Sequence, residues 1–259
     1  MNIVVCVKQV PDTWSERTLR ESDSTLDRDA ADAVINEADE FAIEEGLRQA
    51  EAHGGEVTIL SMGPERATES IRKALSMGAD KAVHLVDDAL AGSDTLGTSA
   101  ALAAVLSQIG FDLVILGAEA TDARTGVVPA MLAERLGIPQ LSYASKLEID
   151  GDSVTINRLA EYGYDTVVAT LPAVVSVVEK INEPRYPSFK GIMAAKKKPV
   201  QTMGVADIGI DASQVGLANA ACEVVSFASR PPRQAGTIVT DEGDGGGKAA
   251  EFLAARKFI

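Results

Sequence analysis

The sequence is poor in the residues from which reactive centres are usually assembled. Its 259 residues include two cysteines, Cys6 and Cys222, and two histidines, His53 and His84. That supply leaves almost nothing for a Cys/His metal site or a disulfide framework, and little basis for a Cys–His nucleophile. Long apolar runs are missing as well. No stretch approaches the ~20 continuous apolar residues of a membrane-spanning helix, so no direct membrane insertion is expected. The opening MNIVVCVKQV is apolar too briefly, and lacks the basic flank, to read as a signal peptide; it reads as a first strand. Positive charge is in deficit. With 24 Lys and Arg against 38 Asp and Glu, the formal charge of −14 disfavours general binding to nucleic acid or to an anionic membrane. Two phosphate-binding signatures are also absent: no G-x-G-x-x-G follows the first strand, and no G-x-x-x-x-G-K-[ST] occurs. An acidic cytoplasmic protein is the base expectation.

What is present is a chain that is 46% hydrophobic, able to bury the core of one large domain or of one domain plus an appendage. Its organising stretch is Leu113 to Gly137, LVILGAEATDARTGVVPAMLAERLG. An apolar run breaks at Gly117 into a polar segment ending Thr125-Gly126, after which Val128, Met131, Leu132 and Leu136 recur at helical spacing. Strand, loop and helix in that order put the loop at the carboxyl end of a strand, where backbone N–H groups and a helix N-terminus can hold a phosphate. A plain strand-to-helix connection fits the same pattern, and the stretch alone leaves both readings open.

Similar units precede it. Ile3 to Val7 reads as a parallel strand buried on both faces, with Cys6 a small core residue. Pro11 to Arg28 is polar, carries Trp14, and reads as a surface loop or short hairpin. Asn36, followed by Glu37, Asp39 and Glu40, predicts an N-cap and a helix from Glu37 to His53. A strand at Val57 to Leu60, a helix from Gly63-Pro64 to Gly78, a strand at Lys81 to Val86 and a helix at Thr95 to Ile109 follow. Alternation at short loop lengths predicts an α/β fold with a mostly parallel sheet and helices on both faces. Lys146 to Ile149, Val154 to Arg158 and Thr166 to Thr170 then read as an antiparallel extension, and Pro172 to Val178 as a strand returning to the main sheet.

From Asn182 the character changes. NEPRYPSFKGIMAAKKKPV has prolines flanking Arg185-Tyr186, an exposed-looking Phe189 and the run Lys196-Lys197-Lys198, read either as a solvated turn or as a docking surface for an acidic partner. Beyond Pro199 come short elements at Val205 to Ile210 and Cys222 to Phe227, a glycine tract at Gly243 to Gly247 and a short helix at Lys248 to Phe258. Such a tail cannot form its own core and needs this domain or another chain to lie against.

Several of these stretches resemble the β-subunit of electron transfer flavoprotein, a family of heterodimeric flavin proteins. They are Val5-Cys6-Val7-Lys8-Gln9-Val10-Pro11-Asp12; Asn36 with its acidic helix start; Ala74-Leu75-Ser76-Met77-Gly78-Ala79-Asp80 followed by His84; Ile156-x-Arg158-x-x-Glu161 with Leu171-Pro172-Ala173-Val174-Val175; and Asn182-Glu183-Pro184-Arg185-Tyr186 leading to Ile192-Met193-x-Ala195-Lys196-Lys197-Lys198. Their shared order and spacing carry the resemblance.

The resemblance implies an adenine-nucleotide α-hydrolase-like sheet that binds AMP in a structural role, while the redox FAD is held mainly by an α-subunit. The implied nucleotide contacts are Cys6, then Asn36, Glu37, Ala38 and Asp39, then Met62, and the loop Gly117, Ala118, Glu119, Ala120, Thr121, Asp122, Ala123, Arg124 and Thr125. Asn36 has the donor and acceptor an adenine edge needs, Thr125 can meet a phosphate, and Arg124 can add a charge-assisted contact. The chain departs from the family in places: Ala123-Arg124 after Asp122, Val127 in place of a glutamine, Tyr162-Gly163 for a glycine pair, and Asp165. These departures leave open AMP or, as in bifurcating members, a second FAD.

Residues 182–198 resemble the family's recognition loop for partner dehydrogenases, with Phe189 as the anchor and Arg185, Tyr186, Ile192 and Met193 around it. Residues 1–199 would then form the nucleotide-binding domain and residues 200–259 an arm wrapping the α-subunit. The implied function is electron carriage from acyl-CoA and other dehydrogenases to a membrane electron transfer flavoprotein–quinone oxidoreductase, without bond-breaking chemistry in this chain. The alternative from the residues alone is an ATP- or AMP-binding sensor of the universal-stress type, which would not need residues 182–259. An enzyme of ATP-dependent amide or adenylate chemistry would want a glycine-rich loop after the first strand, and Lys8-Gln9-Val10-Pro11-Asp12 does not supply one.

Overall fold

The computed structural model describes residues 1–233, 235–236 and 238–259. The chain forms two compact units, Met1–Val225 and Ser226–Ile259.

The first unit is built on β1 (Asn2–Cys6), β4 (Glu56–Met62), β5 (Lys81–Leu85), β6 (Leu113–Gly117), β7 (Gln140–Asp150), β8 (Ser153–Ala160), β9 (Gly163–Thr170), β10 (Ala173–Val177) and β11 (Val200–Met203). They form one sheet in the order β11-β5-β4-β1-β6-β10-β7-β8-β9. All neighbours run parallel from β11 to β7, and β8 and β9 add antiparallel pairs at one end. The parallel core and the antiparallel extension are those expected from the alternating apolar runs. Each of β1, β6 and β10 is apolar at almost every position because both sheet faces are covered. Ile3 and Val5 enter one core with Ile43 and Leu47 of α1 (Glu37–His53) and Ile71 and Leu75 of α2 (Thr68–Met77). Val4 enters the other with Leu102 and Leu106 of α3 (Thr95–Ile109) and Leu132 of α4 (Val128–Leu136). On α1, Gly46 lets the helix lie close on the sheet, since a Cβ there would stand 2.8 Å from the Val5 side chain.

Three local expectations are corrected. The segment after Lys198 contributes a sheet strand at Val200–Met203, where the sequence pattern predicts none, and Val205 to Ile210, read as a short element, forms turns. As a sheet edge, β11 buries Met203 while Gln201 and Thr202 face solvent, so it lacks the continuous apolar run that marks the inner strands. Residues 200–225 therefore belong to the first unit, with Val205, Ile208 and Val215 buried in its core. Cys222 to Phe227 forms no regular element, its apolar residues being left largely exposed. The antiparallel strands are longer than their apolar stretches; β7 extends back to Gln140 because its first residues pair with β10 and its later ones with β8, around a bulge beside Tyr143. Two short strands, β2 (Gln9–Pro11) and β3 (Ala33–Ile35), pair antiparallel and gather the ends of the polar segment between them into a strap.

In the second unit, α6 (Gly245–Ala255) begins inside the glycine tract, earlier than the apolar pattern from Lys248 suggests, and ends earlier too. The Asp241 carboxylate accepts the N–H groups of Gly243 and Gly245 at its start, each at 2.8 Å. Arg256 lies over the ring of Phe252, 3.8 Å from its centroid.

Candidate functional site

Strand order locates a crevice. The chain leaves β1 toward β4 and β5 and comes back on the opposite side as β6, so the direction of winding reverses beside β1, the position where open α/β sheets bind ligands. The segments that meet there carry residues singled out from the sequence: Cys6 at the end of β1, Asn36 to Asp39 at the start of α1, and the loop after β6.

One buried carboxylate joins all three. Asp39 accepts the Lys8 N–H at 2.8 Å, the Asn36 side-chain amide at 3.0 Å and the Gly117 N–H at 3.3 Å. Burial raises the Asp39 pKa to about 7, against the opposing pull of those three donors and the Lys8 charge. The same burial, with Asp39 nearby, pushes the Cys6 thiol far up and keeps it an unreactive core group. Asn36 is nearly inaccessible and is fully engaged. Besides Asp39, its amide donates to the Glu119 carbonyl at 3.0 Å, and its oxygen accepts the Thr121 N–H at 3.1 Å. Its side chain makes no capping bond to α1, and its amide is not free for an adenine edge; it holds the loop instead.

The strap closes over this loop. Asp122, with only 1% of its side chain exposed, lies 2.9 Å from the Lys8 ammonium and 2.7 Å from the Arg28 guanidinium. Burial opposes its ionisation, yet Lys8 and Arg28 hold its carboxyl below the usual range. Arg17 donates to the Thr121 carbonyl at 2.6 Å, and Arg66, after β4, donates to the Arg28 carbonyl at 2.6 Å. Anchored at the ends of both β6 and β4, the strap crosses the end of β1 between them. Lys8, Arg17, Arg28 and Arg66 are absent from the sequence-predicted set. The signal that could have found three of them is the arginine content of the polar segment and of the turn after β4, in a chain where positive charge is scarce.

Two hydroxyls at this edge are buried without partners: Ser61 Oγ, wholly inaccessible near the end of β4, and Thr121 Oγ1. Unpaired buried hydroxyls are costly, and these two lie where the strand-end loops converge. Met62 lies beside them, partly buried, whereas Glu37, Ala123, Arg124 and Thr125 face solvent, Arg124 with a positive φ of 51°. The loop's outer half is thus open while its inner half is fixed.

The other segment singled out from the sequence is residues 182–198. Arg185 grips α1, with Nε 2.7 Å and Nη2 3.0 Å from the Glu44 carboxylate and Nη1 2.6 Å from Glu51. The bond from Arg185 holds the Glu51 carboxyl below its ordinary range. Asn182 donates to the Phe41 carbonyl at 3.0 Å. Ser188 caps α5 (Phe189–Ala195) by accepting the Gly191 N–H at 3.0 Å. The expected loop is therefore partly helical, and Arg185, read as a partner contact, faces inward as a tether. Tyr186 and Phe189 project, 96% and 81% exposed, with Ile192 and Met193 about half exposed alongside. A cleft of about 370 Å³ opens between the end of α2 and this segment, lined in part by Tyr186, Ser188 and Lys190.

No group of three or more His, Cys, Asp or Glu among the described residues could hold a metal ion. Nor is any helix among them long and apolar enough to cross a membrane.

Residues 23–208 match the model of the electron transfer flavoprotein domain. The chain is 56% identical to an electron transfer flavoprotein subunit beta of Mycobacterium tuberculosis, over all of this chain and 99% of the relative. The corresponding Megasphaera elsdenii subunit is 35% identical over the full length of both. A subunit of the caffeyl-CoA reductase–Etf complex of Acetobacterium woodii, CarD, is 36% identical over 93% of this chain and 92% of its own length.

Proposed function

The chain belongs to the electron transfer flavoprotein β-subunit family, and we propose that it works in the cytoplasm, paired with an α-subunit that holds most of the FAD contacts. The heterodimer carries electrons from acyl-CoA and other dehydrogenases, as in fatty-acid oxidation, to a membrane quinone oxidoreductase. When bound, FAD supplies the redox chemistry by taking up and releasing electrons; this chain contributes binding surfaces. The observation that carries the reading is the tethered segment: Phe189, Ile192 and Met193 are kept exposed on a short helix, with Tyr186 exposed just before it, and the flanks of that helix are fixed to α1 and α2. Burying Phe189 in a partner is worth about 2 kcal/mol or more.

In the crevice beside β1 we place AMP, held by backbone N–H groups of the loop after β6, by Thr125 two residues before the N-cap of α4, and by the partnerless hydroxyls of Ser61 and Thr121. AMP is favoured over a second FAD because the strap, pinned at Thr121, Asp122 and Arg66, limits the space through which a longer dinucleotide would emerge. Residues 226–259, with apolar side chains exposed at Phe227, Ile238, Phe252 and Phe258, form the arm that lies against the α-subunit.

Co-purification with the α-subunit, followed by release of bound nucleotide, tests these assignments together. One AMP and one FAD per heterodimer are expected. Two FAD would overturn the AMP assignment, and a monomer with exchangeable ATP would favour the sensor reading over the carrier. Phe189→Ala should slow reduction by a dehydrogenase at unchanged flavin content; flavin loss would instead make Phe189 a structural residue.

A further inference from the structure

The lysine run at the end of the docking segment divides in two. Lys196 and Lys197 are exposed, whereas Lys198 turns inward and places its ammonium against the C-terminus of α2. It donates to the carbonyls of Leu75 at 3.0 Å, Gly78 at 3.1 Å and Ala79 at 2.6 Å. Leu75 lies in the last turn of α2, Gly78 is its C-cap and Ala79 follows it, so the ammonium meets a carbonyl that the helix end leaves without an intrahelical partner and also the negative end of the helix dipole. Arg72, on α2 itself, reaches back the other way. Its Nη1 donates to the carbonyls of Ala195 at 2.6 Å and Lys198 at 3.0 Å, at the end of α5. Each helix is thus capped by a cation from the other's segment. Between the two caps, Gly191 brings α5 so close that a Cβ there would stand 2.5 Å from the Ser76 carbonyl. Desolvation favours the neutral amine of Lys198, offset in part by Asp80, and the three carbonyls satisfy all of its N–H donors.

A helix of seven residues has no stability of its own in water, so its orientation must come from what it is fastened to. We propose that Arg72 and Lys198 are positioning residues for partner docking: their reciprocal caps hold α5 at the angle that presents Phe189, Ile192 and Met193 to a dehydrogenase. Both act through α5, their hydrogen bonds here going to backbone carbonyls of this chain. The inference rests on the docking role assigned to this segment above. Without the caps, α5 would have to be ordered on each encounter, and that ordering cost lowers affinity without new contacts being lost.

The test uses the holo-heterodimer with Lys198→Met, Arg72→Gln, the conservative Arg72→Lys, and Phe189→Ala in parallel. Reduction by an acyl-CoA dehydrogenase is followed against carrier concentration. Lys198→Met and Arg72→Gln should each raise KM for the carrier about tenfold, while kcat, flavin content and the rate of direct reduction by dithionite stay near wild type. Arg72→Lys should restore most of the KM, because a single ammonium can still reach both carbonyls. Hydrogen exchange should quicken at residues 189–195 and not in β1 or β6. Unchanged KM in flavin-replete variants would overturn the inference, and so would flavin loss or faster exchange throughout the sheet, either of which would make the pair a general structural element. If Phe189→Ala also leaves KM unchanged, the docking role itself fails. If only Phe189→Ala raises KM, the docking role stands and the positioning role does not.

Discussion

The Asp122 carboxylate accepts a 2.7 Å hydrogen bond from Arg28, a residue 94 positions earlier in the chain, and Lys8 approaches the same carboxylate at 2.9 Å. Strap, first strand end and the loop after β6 therefore meet at one almost inaccessible acid. A buried ion pair does not by itself stabilise a fold, but removing one partner leaves charge without compensation.

Asp122→Ala should lower stability by about 2 kcal/mol, less than for a fully buried pair because Lys8 and Arg28 remain partly solvated. Arg28→Ala should cost less, about 1 kcal/mol, because Lys8 still pairs with the acid. Urea midpoints measure both. Limited proteolysis adds a second reading, since cleavage between residues 13 and 31 should quicken in both variants. Unchanged cleavage would mean that the strap is held elsewhere.

Asp39 gives a pH dependence of definite sign. Its ordinary pKa of 3.8 is raised to about 7 in the fold. Between those values the folded chain keeps a proton that the unfolded chain has lost. The contribution of this group is therefore fully present below about 4, falls by at most about 1.4 kcal/mol per pH unit toward 7, and is level above that. His84, its pKa lowered by burial, acts oppositely, its contribution being lost as pH falls below its ordinary 6.5. The stability difference between wild type and Asp39→Asn, measured by urea unfolding from pH 5 to 8, isolates the Asp39 term. That difference should shrink as pH rises; a flat difference would contradict the raised pKa.

Ser61→Ala separates a ligand contact from a packing residue. In nucleotide-free protein it removes an unsatisfied buried hydroxyl and should raise stability by about 1 kcal/mol. In the nucleotide-loaded heterodimer it should weaken AMP retention severalfold, measured by dialysis and nucleotide release. Lower stability in both states would assign Ser61 to packing.

Two glycine substitutions should differ by mechanism. A Cβ at Gly117 would stand 2.6 Å from the Asp39 carboxylate and 2.7 Å from the Ala38 side chain, so Gly117→Ala forces the loop to shift, costing about 1–3 kcal/mol and releasing nucleotide. Gly137 ends α4 with a φ of 66° and open space around it. Gly137→Ala should cost about 1–2 kcal/mol from backbone strain, with nucleotide retention unchanged. Thermal unfolding with a nucleotide assay tells the two apart.

The sequence by itself determined what short-range periodicity encodes. Helices α1 and α3 run between the residues expected, because acidic first-turn residues or Asp94 precede them and glycines follow. The parallel core was legible because strands covered on both faces must be continuously apolar, and the loops that converge on the crevice followed from their places at strand ends. Tertiary structure decided the rest. The edge strand β11 carries too little apolar residue to announce itself, and Arg72, Lys198 and Gly191, which seat α5 against the end of α2, come together only in the fold. Asn36, Asp39 and Asp122, nucleotide contacts by the family resemblance, also tie the converging loops together, through hydrogen bonds to residues 31 to 114 positions away for Asp39 and Asp122 and 83 and 85 positions away for Asn36. Such pairings join distant polar residues whose burial and geometry exist only once the sheet has brought the strand ends together, and no local pattern of hydrophobicity encodes them.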